Sequence, residues 1–146
     1  VKIKPYIKNT GLIQKNMMEK PWGKYEVLLD EPEYKVKKIT LNPNQQFSLQ
    51  YHNNRSEDWV IVEGSGTVAT APPLKVGIIK PCAVGDRFHI PKKHMHRATA
   101  GDDGLVFIEV QIGKCEEEDI VRLEDDYGRI EKISPIELGE QREITV

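Results

Sequence analysis

Asn42-Pro43-Asn44-Gln45-Gln46-Phe47-Ser48-Leu49-Gln50-Tyr51-His52 opens on a turn and then alternates polar with apolar residues. Side chains two apart share a face of a strand, so Gln46, Ser48, Gln50 and His52 point one way while Phe47, Leu49 and Tyr51 point the other. A wholly polar strand face is either solvated or lines a site, and this stretch alone is compatible with both. Outward from it, the two-residue period recurs at 25–29, 34–41, 59–62, 66–70, 76–79 and 105–111. Turn chemistry separates these runs: Asp30-Glu31-Pro32, Gly64-Ser65-Gly66, Ala71-Pro72-Pro73 and Gly101-Asp102-Asp103-Gly104. Many short strands at close spacing predict an all-β sandwich or barrel. No 3.6-residue period persists between residues 20 and 112, which confines helices to the ends.

A chain of 146 residues is long enough for one domain with its own core. Three parts are expected: an N-terminal extension at 1–19, a barrel at 20–130 and a C-terminal flap at 131–146, where Ser134-Pro135-Ile136-Glu137 opens one helical turn. No apolar run approaches the roughly 18 residues of a membrane span, and the N-terminus lacks the apolar core of a secretory signal, so no membrane partner and a cytoplasmic location are expected. Cys82 and Cys115, the only two cysteines, form no CxxC pattern, which argues against a disulfide framework and a thiolate zinc site. A net charge of -2 with both signs mixed along the chain offers no basic stripe for nucleic acid, although local cations could hold one small phosphate.

A second stretch, Gly85-Asp86-Arg87-Phe88-His89-Ile90-Pro91-Lys92-Lys93-His94-Met95-His96, holds three of the four histidines. The two stretches together resemble the paired motifs of the cupin superfamily. Asn44, Gln50, His52, Glu57 and Gly64 fall at the Gly, His, His, Glu and Gly of the first motif with every spacing kept. Gly85, Pro91, Lys93, His96 and Ala100 fall on the Gly, Pro, Gly, His and Asn of the second. Asn44, Lys93 and Ala100 depart at turn-shaping positions, and Gln50 replaces a histidine ligand with an amide oxygen that can still coordinate a divalent cation. The resemblance implies a cupin, a double-stranded β-helix or jelly-roll barrel with short terminal extensions, holding one divalent metal on Gln50, His52, Glu57 and His96.

A closer resemblance spans about residues 21–129. Pro21-Trp22-Gly23-Lys24-Tyr25, Tyr34-Lys35-Val36-Lys37, Ser48-Leu49-Gln50-Tyr51-His52, Arg55-Ser56-Glu57-Asp58-Trp59, His96-Arg97, Glu109-Val110-Gln111-Ile112-Gly113 and Asp119-Ile120-Val121-Arg122 through Tyr127-Gly128-Arg129 are similar to successive signatures of the type II mannose-6-phosphate isomerase domain. That domain often follows a guanylyltransferase domain, and no nucleotide-binding Gly-rich loop occurs here. Type I phosphomannose isomerases are similar at the metal site, where a Gln, His, Glu, His set binds zinc. The implied reaction is interconversion of mannose 6-phosphate and fructose 6-phosphate, with zinc first and manganese, cobalt, nickel or iron as alternatives.

Such an isomerisation needs a base beside carbon and stabilised negative charge on oxygen. Glu109, on one face with Leu105, Phe107 and Gln111, and Lys37 are candidates for the base, and Arg97, next to His96, is a further catalytic candidate. Arg129 and Lys37 are candidates for the substrate phosphate, and Ser48 for another substrate contact. His89 and His94 read as structural or solvent-facing, and Trp22 and Trp59 as core anchors. Asn54 and Asp58 stand where related domains carry histidines, so a binding module without turnover is a second reading. A metal-dependent dioxygenase is a third. Strand edges in such barrels are often covered by a second subunit, and a homodimer is expected.

Overall fold

The computed structural model describes residues 16–130. They form nine strands and no helix: β1 (Asn16–Lys20), β2 (Gly23–Glu31), β3 (Tyr34–Leu41), β4 (Leu49–Tyr51), β5 (Arg55–Ala71), β6 (Ile78–Ala83), β7 (Arg87–Ile90), β8 (Met95–Gly113) and β9 (Val121–Glu124). The expected flap, with its helical turn at Ser134, lies outside the described residues. Residues 16–19 of the expected N-terminal extension belong to strand β1, which pairs with β2 from Asn16↔Val27 to Lys20↔Gly23. Its side chains are exposed as far as Lys20, so no alternation marks it in sequence.

The sheet runs β1-β2-β3-β8-β4-β9, with β5 joined to β8, β6 and β7. Strands β5 and β8 are antiparallel partners from Arg55↔Gly113 to Ala71↔Met95, with register shifts at Ile61/Glu63 and Gly64/Gly66 that bend the pair. Gly64 permits the bend: its φ is +75°, and a Cβ there would lie 2.1 Å from the Gly104 carbonyl oxygen. On its other edge β8 serves two neighbours, pairing with β3 through residues 105–112 and with β4 through His96↔Gln50. The sheet therefore curls around its own inner face.

That inner face changes character along three strands. In β3, Leu41 and Ile39 give way to Lys37 and Lys35; in β8, Leu105 and Phe107 to Glu109 and Gln111; in β5, Ile61 and Trp59 to Glu57 and Arg55. All twelve are buried, so strict alternation continues while the inward chemistry turns from apolar to polar. The apolar half packs around Trp59, which stacks on Phe107 at 4.5 Å between ring centroids and meets the Phe47 edge at 5.8 Å. Burial of each large side chain there contributes about 1.5–3 kcal/mol. The polar half surrounds a cavity of about 280 Å³.

Candidate functional site

His52, Glu57 and His96 converge at the boundary of the two halves, with one ligand atom from each within 4.8 Å of the others. They are 2%, 2% and 1% exposed. His52 follows β4, Glu57 lies on β5 and His96 on β8, so the curl of the sheet brings together three points distant in sequence. Each imidazole is oriented from behind. His52 Nδ1 donates to the Asp119 carbonyl at 2.6 Å, and His96 Nδ1 donates to the His94 carbonyl at 2.9 Å. A carbonyl can only accept, so both rings present an unprotonated Nε2 inward when neutral. These atoms lie 3.1 and 3.6 Å from the two Glu57 oxygens, and His96 Nε2 is buried without a hydrogen-bond partner.

The charge states follow from burial and neighbours. Burial by itself would push Glu57 up, but His96, His52 and Arg55 outweigh it and hold the carboxyl well below its usual range. Burial lowers His96 to about 4 against the opposing pull of Glu57, which leaves a neutral imidazole, the form that coordinates metals. Trp59 Nε1 donates to the Glu57 carboxylate at 3.0 Å. These residues could hold a divalent ion.

Gln50 is in register with His96 and lines the cavity, and the Ser48 hydroxyl donates to its amide oxygen at 2.6 Å. Ser48, the expected substrate contact, is placed behind Gln50 as its hydrogen-bond partner and is not among the cavity-lining residues. Lys37 and Glu109 both line the cavity and are cross-strand partners. Burial first, then the Glu57 charge, raises Glu109 to about 8, with Lys37 and Arg55 opposing, and Gln111 Nε2 donates to its Oε1 at 2.6 Å. Lys37 pairs with Glu117 and sits 4.3 Å above the Tyr25 ring. Arg129 lines the cavity and is held by Asp125.

Arg97, a catalytic candidate that could equally pair with an acid, is placed outside the cavity lining. It leaves the sheet opposite His96, and its guanidinium is taken up by the Phe47 carbonyl at 3.2 Å and by Glu124 at 3.1 Å, away from the cavity. It ties β8 to the segment before β4 and to β9. Asp58 turns outward to the exposed His89 at 2.8 Å, and Asn54 is exposed, so neither position lines the cavity. Trp59 is a core anchor, whereas Trp22 belongs to the core and also lines the cavity.

Sequence reasoning missed Arg55, Glu117 and Arg122. Arg55 is buried and reaches Glu57 at 3.4 Å, His52 Nε2 at 3.3 Å and the Glu116 carbonyl at 2.7 Å. Its signal was available, since it lies two residues before Glu57 and so on the same strand face. Glu117 and Arg122 enter from the segment after β8, which folds back over the cavity through Lys35 to the Cys115 carbonyl and Asp119 to the amides of Asn53 and Asn54. Arg122 is lowered by burial and by Arg129.

A curled all-β sheet with a buried His, Glu, His trio beside an internal cavity defines a cupin. Oxalate decarboxylase from Bacillus subtilis shares the fold, with a TM-score of 0.68 over 75% of this chain and 30% of that one at 19% identity. Residues 8–125 match the family described as mannose-6-phosphate isomerase C-terminal, and the chain belongs to that family. Mannose-1-phosphate guanylyltransferase ManC of Salmonella typhimurium is 37% identical over 113 residues, 76% of this chain and 22% of that protein. Alginate biosynthesis protein AlgA of Pseudomonas aeruginosa is 38% identical over 112 residues, 75% of this chain and 22% of that protein. The chain thus spans under a quarter of either relative. Among the described residues no helix is long and apolar enough to cross a membrane.

Proposed function

We propose that this domain is a metal-dependent aldose–ketose isomerase that interconverts mannose 6-phosphate and fructose 6-phosphate. The carrying observation is the buried trio, with two Nε2 atoms and a carboxylate turned toward one another beside a cavity that also holds a buried acid and a buried ammonium. The donor set fits a divalent ion: two imidazoles and a carboxylate, with the Gln50 amide alongside His96 as a fourth donor. The buried, unpartnered His96 Nε2 is an open ligand position in chemical terms. Zinc suits mixed nitrogen and oxygen donors best, with manganese, cobalt, nickel and iron next. When bound, the ion supplies Lewis-acid polarisation of sugar oxygens.

The chain's own residues handle the proton. Glu109 takes it from the carbon of the aldose next to the carbonyl and returns it to the former carbonyl carbon, while the proton of the neighbouring hydroxyl passes to the former carbonyl oxygen, so the two transfers together give the ketose. A carboxyl raised to about 8 is a strong enough base to accept that proton and a strong enough acid to release it near neutral pH. Gln111 fixes the carboxylate, and Lys37 opposes its full protonation. Glu117 holds the Lys37 ammonium.

A binding module without turnover is the second reading. The approach of Arg55 to both His52 and Glu57 favours it, because that guanidinium already balances the Glu57 charge. Metal per chain and conversion of mannose 6-phosphate, measured on one sample with His96→Ala beside it, separate the two. Near-stoichiometric metal with turnover, both lost in the variant, is expected. Metal and sugar-phosphate binding without turnover would leave the binding module, and oxygen consumption with iron would point to the oxygenase.

A further inference from the structure

The cavity carries a second chemistry away from the trio. Arg122 of β9, Gln50 of β4 and His96 of β8 are cross-strand partners in sequence, so their side chains leave one face of three adjacent strands. At about 4.8 Å per strand, the Arg122 and His96 backbones stand roughly 10 Å apart. Arg122 lines the cavity, and its Nε is buried without a protein partner. Arg129 lines the same cavity. The Asp125 carboxylate, whose side chain is 0% exposed, grips Arg129 through Nε and Nη2, leaving Nη1 without a partner among the described residues. Lys20 of β1 joins them at the cavity wall.

A guanidinium N–H buried without an acceptor is costly, and a ligand that brings acceptors removes the cost. Three cations against one Asp125 carboxylate leave an excess of positive charge. A phosphate monoester carries about -1.5 to -2 at neutral pH and three acceptor oxygens, which matches both the charge and the unfilled donors. We propose that Arg122 and Arg129, with Lys20, form the anchor for the phosphate group of the ligand, centred two strands away from His96 across Gln50. The separation selects a sugar whose phosphate lies at the opposite end of the carbon chain from the carbonyl. A sugar 1-phosphate, with the phosphate on the anomeric carbon, cannot meet both ends. The inference rests on the isomerase reading only for what the rest of the ligand does.

The test is titration calorimetry on the zinc-loaded full chain with inorganic phosphate, mannose 6-phosphate and mannose 1-phosphate, with turnover followed in parallel. Arg122→Gln is expected to weaken inorganic phosphate and mannose 6-phosphate at least tenfold at unchanged metal content. Arg122→Lys, which keeps the charge but loses the fork, is expected to fall between that and wild type. Arg87→Gln on exposed β7 serves as a control that binds as wild type does. Arg129→Gln gives a second, independent loss and carries the test if Arg122→Gln does not fold. Wild-type affinity in folded Arg122→Gln and Arg129→Gln, or mannose 1-phosphate bound as tightly as the 6-phosphate, would overturn the anchor. Phosphate binding that depends on Arg122 without any turnover sinks the isomerase reading and leaves the anchor standing. Turnover with KM unchanged in Arg122→Gln does the reverse.

Discussion

At Glu109, burial and the neighbouring Glu57 carboxylate together overcome Lys37 and Arg55, so the proton stays on up to about 8, against 4.5 for a free side chain. Folded protein therefore binds a proton that the unfolded chain has released, and stability falls as pH rises through this window. His96 acts in the opposite sense at lower pH: its value of about 4, against 6.5 when free, makes stability rise between those two values. From 6.5 to 8 the Glu109 contribution stands alone of the two. For metal-free protein in a chelator, urea unfolding is expected to show declining stability from pH 6.5 to 8 and a flatter profile in Glu109→Gln. Parallel profiles would show that Glu109 is ionised in the folded state throughout. Glu109 was legible as a polar residue on an apolar strand face, and His52, Glu57 and His96 as a spaced motif. Arg55 was legible only through the pleat, which puts it on the Glu57 face, since a charge beside a motif acid otherwise reads as a surface residue.

Two turns show how an element keeps its shape without the residue that normally makes it. Asn44 and Lys93 stand where the cupin motifs have glycine, and both adopt positive φ, 60° and 66°. Asn tolerates this region through its short polar side chain, but Lys has no such compensation and costs about 1–2 kcal/mol there. The turn is retained because the Lys93 amide donates to the His52 carbonyl at 2.7 Å, linking the β7–β8 connection to the ligand-bearing loop. Lys93→Gly is expected to stabilise by about 1 kcal/mol, less a few tenths for the freer unfolded chain, and to raise Tm by a few degrees without changing bound metal. A lowered Tm would mean that the Lys93 side chain contributes more than its backbone strain costs. Strands β2 to β6 and the second half of β8 were legible by their period, whereas β1, β7, β9 and the first half of β8 were not, β1 because an exposed edge strand needs no apolar face. The 114–120 segment was equally silent, because it is held by long-range bonds from Lys35, Arg55 and His52 and has no period of its own.

Across the whole molecule, one curled sheet is asked to do two things: bury an apolar core at one end and keep Lys35, Lys37, Arg55, Glu57, Glu109 and Gln111 buried at the other. Buried charges stabilise a fold only when paired and hydrogen-bonded, and removing one partner leaves the other uncompensated. The polar half is thus the less stable half of the domain in the absence of ligands, and anything that binds its donors in the folded state adds its binding free energy to folding. At a free ion concentration about 100 times Kd that gain is about 2.7 kcal/mol. Thermal unfolding of chelator-treated protein should therefore shift upward by several degrees on adding zinc, and the shift should grow with the logarithm of zinc concentration. His52→Ala and His96→Ala should each lower the metal-free Tm and abolish the zinc-dependent rise, since each removes one of the convergent Nε2 atoms. With manganese, cobalt or nickel in place of zinc, the ordering of shifts in the same experiment ranks the ions. Wild-type protein whose Tm ignores every ion, or variants that respond as strongly as wild type, would show that the trio is an internal hydrogen-bonded cluster balanced by Arg55 and not a metal centre.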